Sequence, residues 1–110
     1  MSQTVFKGAA KAGLFSATFL SDASNAASDL LVASYAETGG SHPQVDQSAA
    51  APGGEASASV SAPRRGVLEV WLVAGHADDR GRLRVSNDKG PLDDEDVRGS
   101  VRWVYAVEAS

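Results

Sequence analysis

The stretch Val67 to Ala74, VLEVWLVA, decides how this chain is read. Leu68, Val70 and Leu72 fall on one side of an extended backbone, and Val67, Glu69, Trp71 and Val73 on the other. Alternate residues of a strand share a face, and β-branched and aromatic residues at period two mark a strand. A sheet with one wet side carries polar residues there. Here the second side carries Trp71 and Val73 instead. The segment therefore reads as a strand whose second side is covered, by the long stretch 39–66, by an N-terminal segment or by another subunit.

Toward the C-terminus, GHADDRG (75–81) is dense in turn formers. RLRVS (82–86) alternates Arg82, Arg84 and Ser86 against Leu83 and Val85. NDKGPLDDEDVRG (87–99) reads as a loop with four consecutive acids, Asp93 to Asp96. SVRWVYAVEA (100–109) sets Val101, Trp103, Tyr105 and Val107 against Arg102, Val104, Ala106 and Glu108. The spacing predicts a three-stranded antiparallel meander. Its apolar face holds Leu68, Val70, Leu72, Leu83, Val85, Val101, Trp103, Tyr105 and Val107.

Toward the N-terminus, GLFSATFLS (13–21) alternates Phe15, Ala17 and Phe19 against Leu14, Ser16, Thr18 and Leu20, another strand. Residues 28–38 admit two readings. A strand puts Leu31, Ala33 and Tyr35 on one face. A helix near 25–38, making the fold α+β, has its cap at Ser24 or Asn25 and its stop at Gly39. Ala favours the helix, Val32 and Tyr35 the strand. The strand is preferred because it would pair with 13–21 as a hairpin, bringing Phe15, Phe19, Leu30, Leu31 and Tyr35 over the core.

Residues 39–66 contain no aromatic, no Leu and no Ile, and Val45 and Val60 are their only larger aliphatics. Ala, Ser, Gly and Pro in mixture bury too little apolar surface to offset chain entropy. The stretch reads as one long loop or extended arm interrupting a single domain of residues 1–110. The expected fold is all-β, a small antiparallel sandwich or barrel.

With 110 residues and no cysteine, neither disulfides nor thiolate metal sites are possible, and a core this small usually leans on association. The net charge of −4 argues against a nucleic-acid binder, which carries a basic excess. No apolar run approaches the ~20 residues needed to span a bilayer. Lys7, Lys11 and AGLFSATFL loosely copy a secretory signal, but Ser16 and Thr18 interrupt the apolar part. Cytoplasmic or virion-associated location is expected rather than secretion.

Motifs for chemistry are sparse. His76 with Asp78 and Asp79 has metal-ligand character, yet the setting is that of a solvated turn, and no metal or other cofactor is expected. His42, in the flexible stretch, carries no role. The acidic run at 93–96 lacks the alternation of a calcium loop and reads as a solvated, self-repelling segment. No Gly-x-Ser-x-Gly and no glycine-rich phosphate loop occurs, so no catalytic residue is assigned. Arg80, Arg82 and Arg84 alternate on one strand, with Arg102 expected nearby and Arg64-Arg65 at the end of the long stretch. They admit pairing with Glu69 and Glu108, a subunit interface made of Trp71, Val73, Val104, Arg82, Arg84 and Arg102, or a grip on an anionic or sugar ligand by Arg80, Arg82, Arg84 and Trp71. The expected role is a non-enzymatic structural or assembly protein. Its partner is itself or another structural protein, as in an accessory component of a phage-like particle.

Overall fold

The computed structural model describes residues 3–40 and 42–109. These form nine strands: β1 (Gln3–Lys11), β2 (Gly13–Ser21), β3 (Asp29–Glu37), β4 (Gln44–Ala50), β5 (Glu55–Ala62), β6 (Gly66–Val73), β7 (Arg80–Asn87), β8 (Gly90–Arg98) and β9 (Val101–Glu108). One sheet has the order β1-β9-β6-β3-β4 and the other β5-β2-β7-β8. Every pair is antiparallel except β1 with β9. The two sheets pack as a sandwich, not a closed barrel, and the fold is all-β. No helix is present among the described residues, so 29–37 is a strand.

The interior matches the predicted apolar face residue for residue. Leu68, Val70, Leu72, Leu83, Val85, Val101, Trp103, Tyr105 and Val107 are all buried, together with Phe15, Phe19, Leu31 and Tyr35. Leu30 is not among them. It neighbours the inward-facing Leu31 on a strand and must point outward, where it is half-buried.

The pairing differs from the expected one. β2 and β3 do not form a hairpin, and β6, β7 and β9 are not a meander. β3 pairs with β4 and β6, β6 with β9, and β2 with β5 and β7. The chain changes sheets after β1, β2, β4, β5, β6 and β8, so neither β2 and β3 nor β6 and β7 share a sheet. Phe15 and Phe19 of one sheet thereby face Leu31 and Tyr35 of the other. Opposed apolar faces bury each other fully, whereas side-by-side strands would leave both facing water.

The long stretch is the largest correction. Apart from Ser41, which lies outside the described residues, 39–66 contains β4 and β5, joined by a tight turn. Pro52 supplies the fixed φ of its first corner, Gly53 has φ 78° at the second, and the Gly54 N–H donates to the Ala51 carbonyl at 2.8 Å. β5 alternates fully: Ala56, Ala58, Val60 and Ala62 are buried, while Ser57, Ser59 and Ser61 are exposed. Small side chains suffice because they sit beside large ones: Ala56 registers with Phe19 and Val60 with Phe15. On exposed β4, Asp46 accepts the Ser59 N–H at 2.9 Å and Gln44 accepts that of Ser61 at 3.2 Å. Side chains thus satisfy the free edge of β5 and close one seam of the sandwich.

The acidic loop is also a strand. Registers Leu83↔Glu95 and Val85↔Asp93 turn Glu95 and Asp93 toward the interior side of β8, and Asp94 and Asp96 outward. The inner pair meets a cation from β1. Lys7, at a register shift between Phe6 and Gly8, lies 4.2 Å above the Trp103 ring and pairs with Glu95 and, at 3.9 Å, with Asp93. Tyr105 donates its hydroxyl to Asp93 at 2.7 Å. Burial and this bond push the Tyr105 phenol pKa upward. This cluster closes the second seam.

Candidate interaction surface

The outer face of the five-stranded sheet is built by the residues that alternate with the core. Cross-strand register arranges them in rows. One row runs Gln47, Val32, Trp71, Arg102 and Thr4; the next runs Val45, Ser34, Glu69, Val104 and Phe6. Leu30 pairs with Val73, and Ala36 with Val67, at the two ends. Phe6, Val45, Val67, Trp71 and Val73 are exposed, at 67%, 59%, 43%, 37% and 45%. Leu30, Val32 and Val104 are half-buried. Apolar side chains therefore continue from β1 to β4 on the side facing solvent.

Two charges interrupt this face, and they neutralise each other. The Arg102 guanidinium forms a close ion pair with Glu69 and stacks 4.9 Å from the Trp71 ring. That stack is a cation–π contact that adds to the hold on the indole. Lys11 and Glu108, at the rim, lie 3.9 Å apart.

The sequence-derived interface set is divided by the fold. Trp71, Val73, Val104 and Arg102 share this face, whereas Arg82 and Arg84 lie on the outer face of the other sheet. Arg82 donates to Asp94 at 2.6 Å and lies 3.5 Å from Asp96; Arg84 lies 3.4 Å from Asp94. The Arg82 guanidinium holds the Asp94 carboxyl below its usual range. Arg80 sits 3.6 Å from Asp22, and Arg98 binds Asp78 at 3.0 Å. Arg80, Arg82 and Arg98 do line an open groove of about 530 Å³, but Asp22 and Asp96 line it too. The ligand grip of Arg80, Arg82 and Arg84 with Trp71 is therefore not assembled: the indole and the arginines stand on opposite sides of the sandwich, and the β6–β7 sheet change separates them. The possible metal trio also disperses. His76 accepts the Asp78 N–H at 3.1 Å, Asp78 turns to Arg98, and Asp79 is buried.

Phe6, Leu30, Val32, Val45 and Val67 join the face without having been singled out for it. The signal for Leu30 and Val32 was their parity against Leu31, Ala33 and Tyr35. Phe6 and Val45 lay in segments not read as strands. Comparison with known protein families, curated proteins and solved structures yields no significant match.

Proposed function

We propose that the chain is a non-enzymatic structural protein that assembles with copies of itself through the outer face of the five-stranded sheet. The observation that carries this reading is that every strand of this sheet puts an exposed or half-buried apolar side chain on its outer face, from Phe6 through Val104, Trp71 and Val32 to Val45, interrupted by Ser34 and one self-neutralised ion pair. Contiguous apolar surface of this kind marks contact sites. A second copy can use this face despite the repulsion between two molecules of net charge −4, because the face itself presents no net charge to a partner. The area also suits. Five strands at ~4.8 Å spacing and about eight residues at ~3.3 Å rise give roughly 600 Å² per face, or about 1,200 Å² for two copies, the lower end of specific interfaces. Face-to-face sheets at a spacing of ~10 Å would bury Trp71 and Val73. Self-pairing of this kind also serves an accessory component of a larger, phage-like particle.

Light scattering coupled to size exclusion tests the reading, with acrylamide quenching of tryptophan followed on dilution. Trp103 is buried in a single copy and reports little, so quenching change reports Trp71. A dimer that dissociates on dilution, with Trp71 becoming quenchable, is expected. Trp71→Ala should remain folded and lose association by at least tenfold. A monomer at all concentrations would remove the proposal.

A further inference from the structure

We propose that Asp29 and Asp79 form a proton-dependent latch that ties the β2–β3 loop to the β6–β7 loop and releases them when a shared proton is lost. Asp29 opens β3 and Asp79 precedes β7; they are 1% and 2% exposed. Their bonds cross between loops. Asp29 Oδ1 accepts the Gly75 N–H and Asp79 Oδ1 accepts the Ala26 N–H, both at 2.8 Å. Each carboxyl is close enough to the other to shift its protonation. Asp79 Oδ2 is buried with no hydrogen-bond partner. Two carboxylates are acceptors only, so a bond between them requires one proton. A proton on Asp29, donated to Asp79, satisfies the orphan oxygen.

The surroundings make that proton matter. From the β2–β3 loop, Asn25 Nδ2 reaches Asp29 Oδ2 at 3.3 Å, and its main commitments are to Ser21 Oγ and the Arg80 carbonyl, at 2.9 and 2.7 Å. Asp22 of the same loop pairs with Arg80, on β7. From the β6–β7 loop, His76 offers Asp79 a favourable charge, while Asp78 is held by Arg98 of β8. Among the described residues no Lys or Arg forms an ion pair with Asp29 or Asp79. A second negative charge would therefore be buried beside the first without a counterion, and like charges in such a site cannot both ionise cheaply. Burial, opposed by the Gly75 amide and reinforced by neighbouring Asp79, raises the Asp29 carboxyl to about 6. Burial alone would raise Asp79 as well, but neighbouring Asp29 and the Ala26 and Ala27 amides hold it low. The sign follows. A folded value above the unfolded one means that the proton's contribution is complete below about pH 4 and is lost as pH rises through about 6. The loops are tied in mildly acidic solution and loosened at neutrality.

Backbone amide exchange, corrected for intrinsic rates, reads the latch directly. Protection of Ala26 and Gly75 should fall about ten- to hundredfold between about pH 5 and pH 7.5, whereas core amides such as Val70, which exchange through global unfolding, should keep the higher protection throughout and fall only with global stability. Asp29→Asn, which keeps a donor toward Asp79 at all pH values, should abolish the fall. Equal protection on both sides of pH 6, or the same fall in Asp29→Asn, would overturn the proposal. Should that variant not fold, carboxyl carbon shifts in the native protein decide: one step near pH 6 at Asp29 supports the latch, and two ordinary titrations near pH 4 refute it. Recovery of protection at pH 7.5 on adding millimolar calcium would also refute it, since a cation rather than a proton would then be the occupant.

Discussion

Gly81→Ala is the most direct test of the strand order. Gly81 lies on β7, registered with Ser21 of β2. A Cβ built there would stand 2.3 Å from the Leu20 carbonyl oxygen and 2.6 Å from the Phe19 ring carbons Cε1 and Cζ. Two of the three contacts could relax only if the ring moved, and Phe19 is fully buried among close-packed neighbours. The third is main chain and cannot retreat without loosening the β2–β7 ladder. Forcing a methyl into such a site costs about 1–3 kcal/mol, and the backbone clash puts the expectation near ~3 kcal/mol. Urea unfolding followed by Trp103 fluorescence would show it as a lower midpoint at unchanged slope. Phe19→Leu in the same chain should return about 1 kcal/mol of the loss by removing the ring contact, a coupling that a double-mutant cycle isolates. Ser57→Ala, on an exposed position of β5, is the control and should fall within ~0.5 kcal/mol of wild type. A Gly81→Ala variant that unfolds with the wild type would mean that β7 does not lie against β2 in this register, and the sheet change after β6 would fall with it.

Other expectations concern buried charge. Asp29→Asn should stabilise the fold at pH 7 by about 1–3 kcal/mol, since a carboxyl displaced from 3.8 to about 6 sacrifices up to ~3 kcal/mol on ionising; the opposed Asn25 amide, 3.3 Å away, trims the gain. Thermal melts from about pH 4 to pH 8 should show wild-type stability falling through pH 6 and a flatter curve for the variant; a variant less stable at pH 7 would contradict this. Lys7→Met keeps contact with Trp103 but strips the cation from Asp93 and Glu95, for a loss of about 0.5–1.5 kcal/mol that shrinks in ~1 M salt. A loss independent of salt would assign Lys7 to packing rather than to charge.

Face assignment was legible wherever side chains are large. In VLEVWLVA and SVRWVYAV, parity alone separates buried from exposed residues, and Trp71 stood out as apolar on the wrong side. Strand partners were not legible, because parity is the same whether β7 pairs with β6 or with β2. Only the gain from opposing two apolar faces decides that, and it is a property of the whole assembly. β5 escaped notice for a different reason. Ala against Ser is a weak hydrophobic contrast, although EASASVSA alternates as strictly as any strand here and Pro52-Gly53 marks its turn. β8 was hidden by its charge: a strand with acids on both faces needs a cation on each side, and while Arg82 comes from the neighbouring β7, Lys7 comes from the far end of the described chain. The division of the arginines from Trp71 follows from the same unread sheet change.

The parallel ladder from Gln3↔Val101 to Lys11↔Glu108 has a mechanical corollary. The two outermost segments of the described chain run side by side in the same direction, so tension applied between residues 3 and 109 drags β1 and β9 past each other lengthwise. The hydrogen bonds on either side of the register shift at Lys7 then carry the load together instead of parting one at a time. Pulled from residues 3 and 109, the molecule resists as a lap joint rather than a zip fastener.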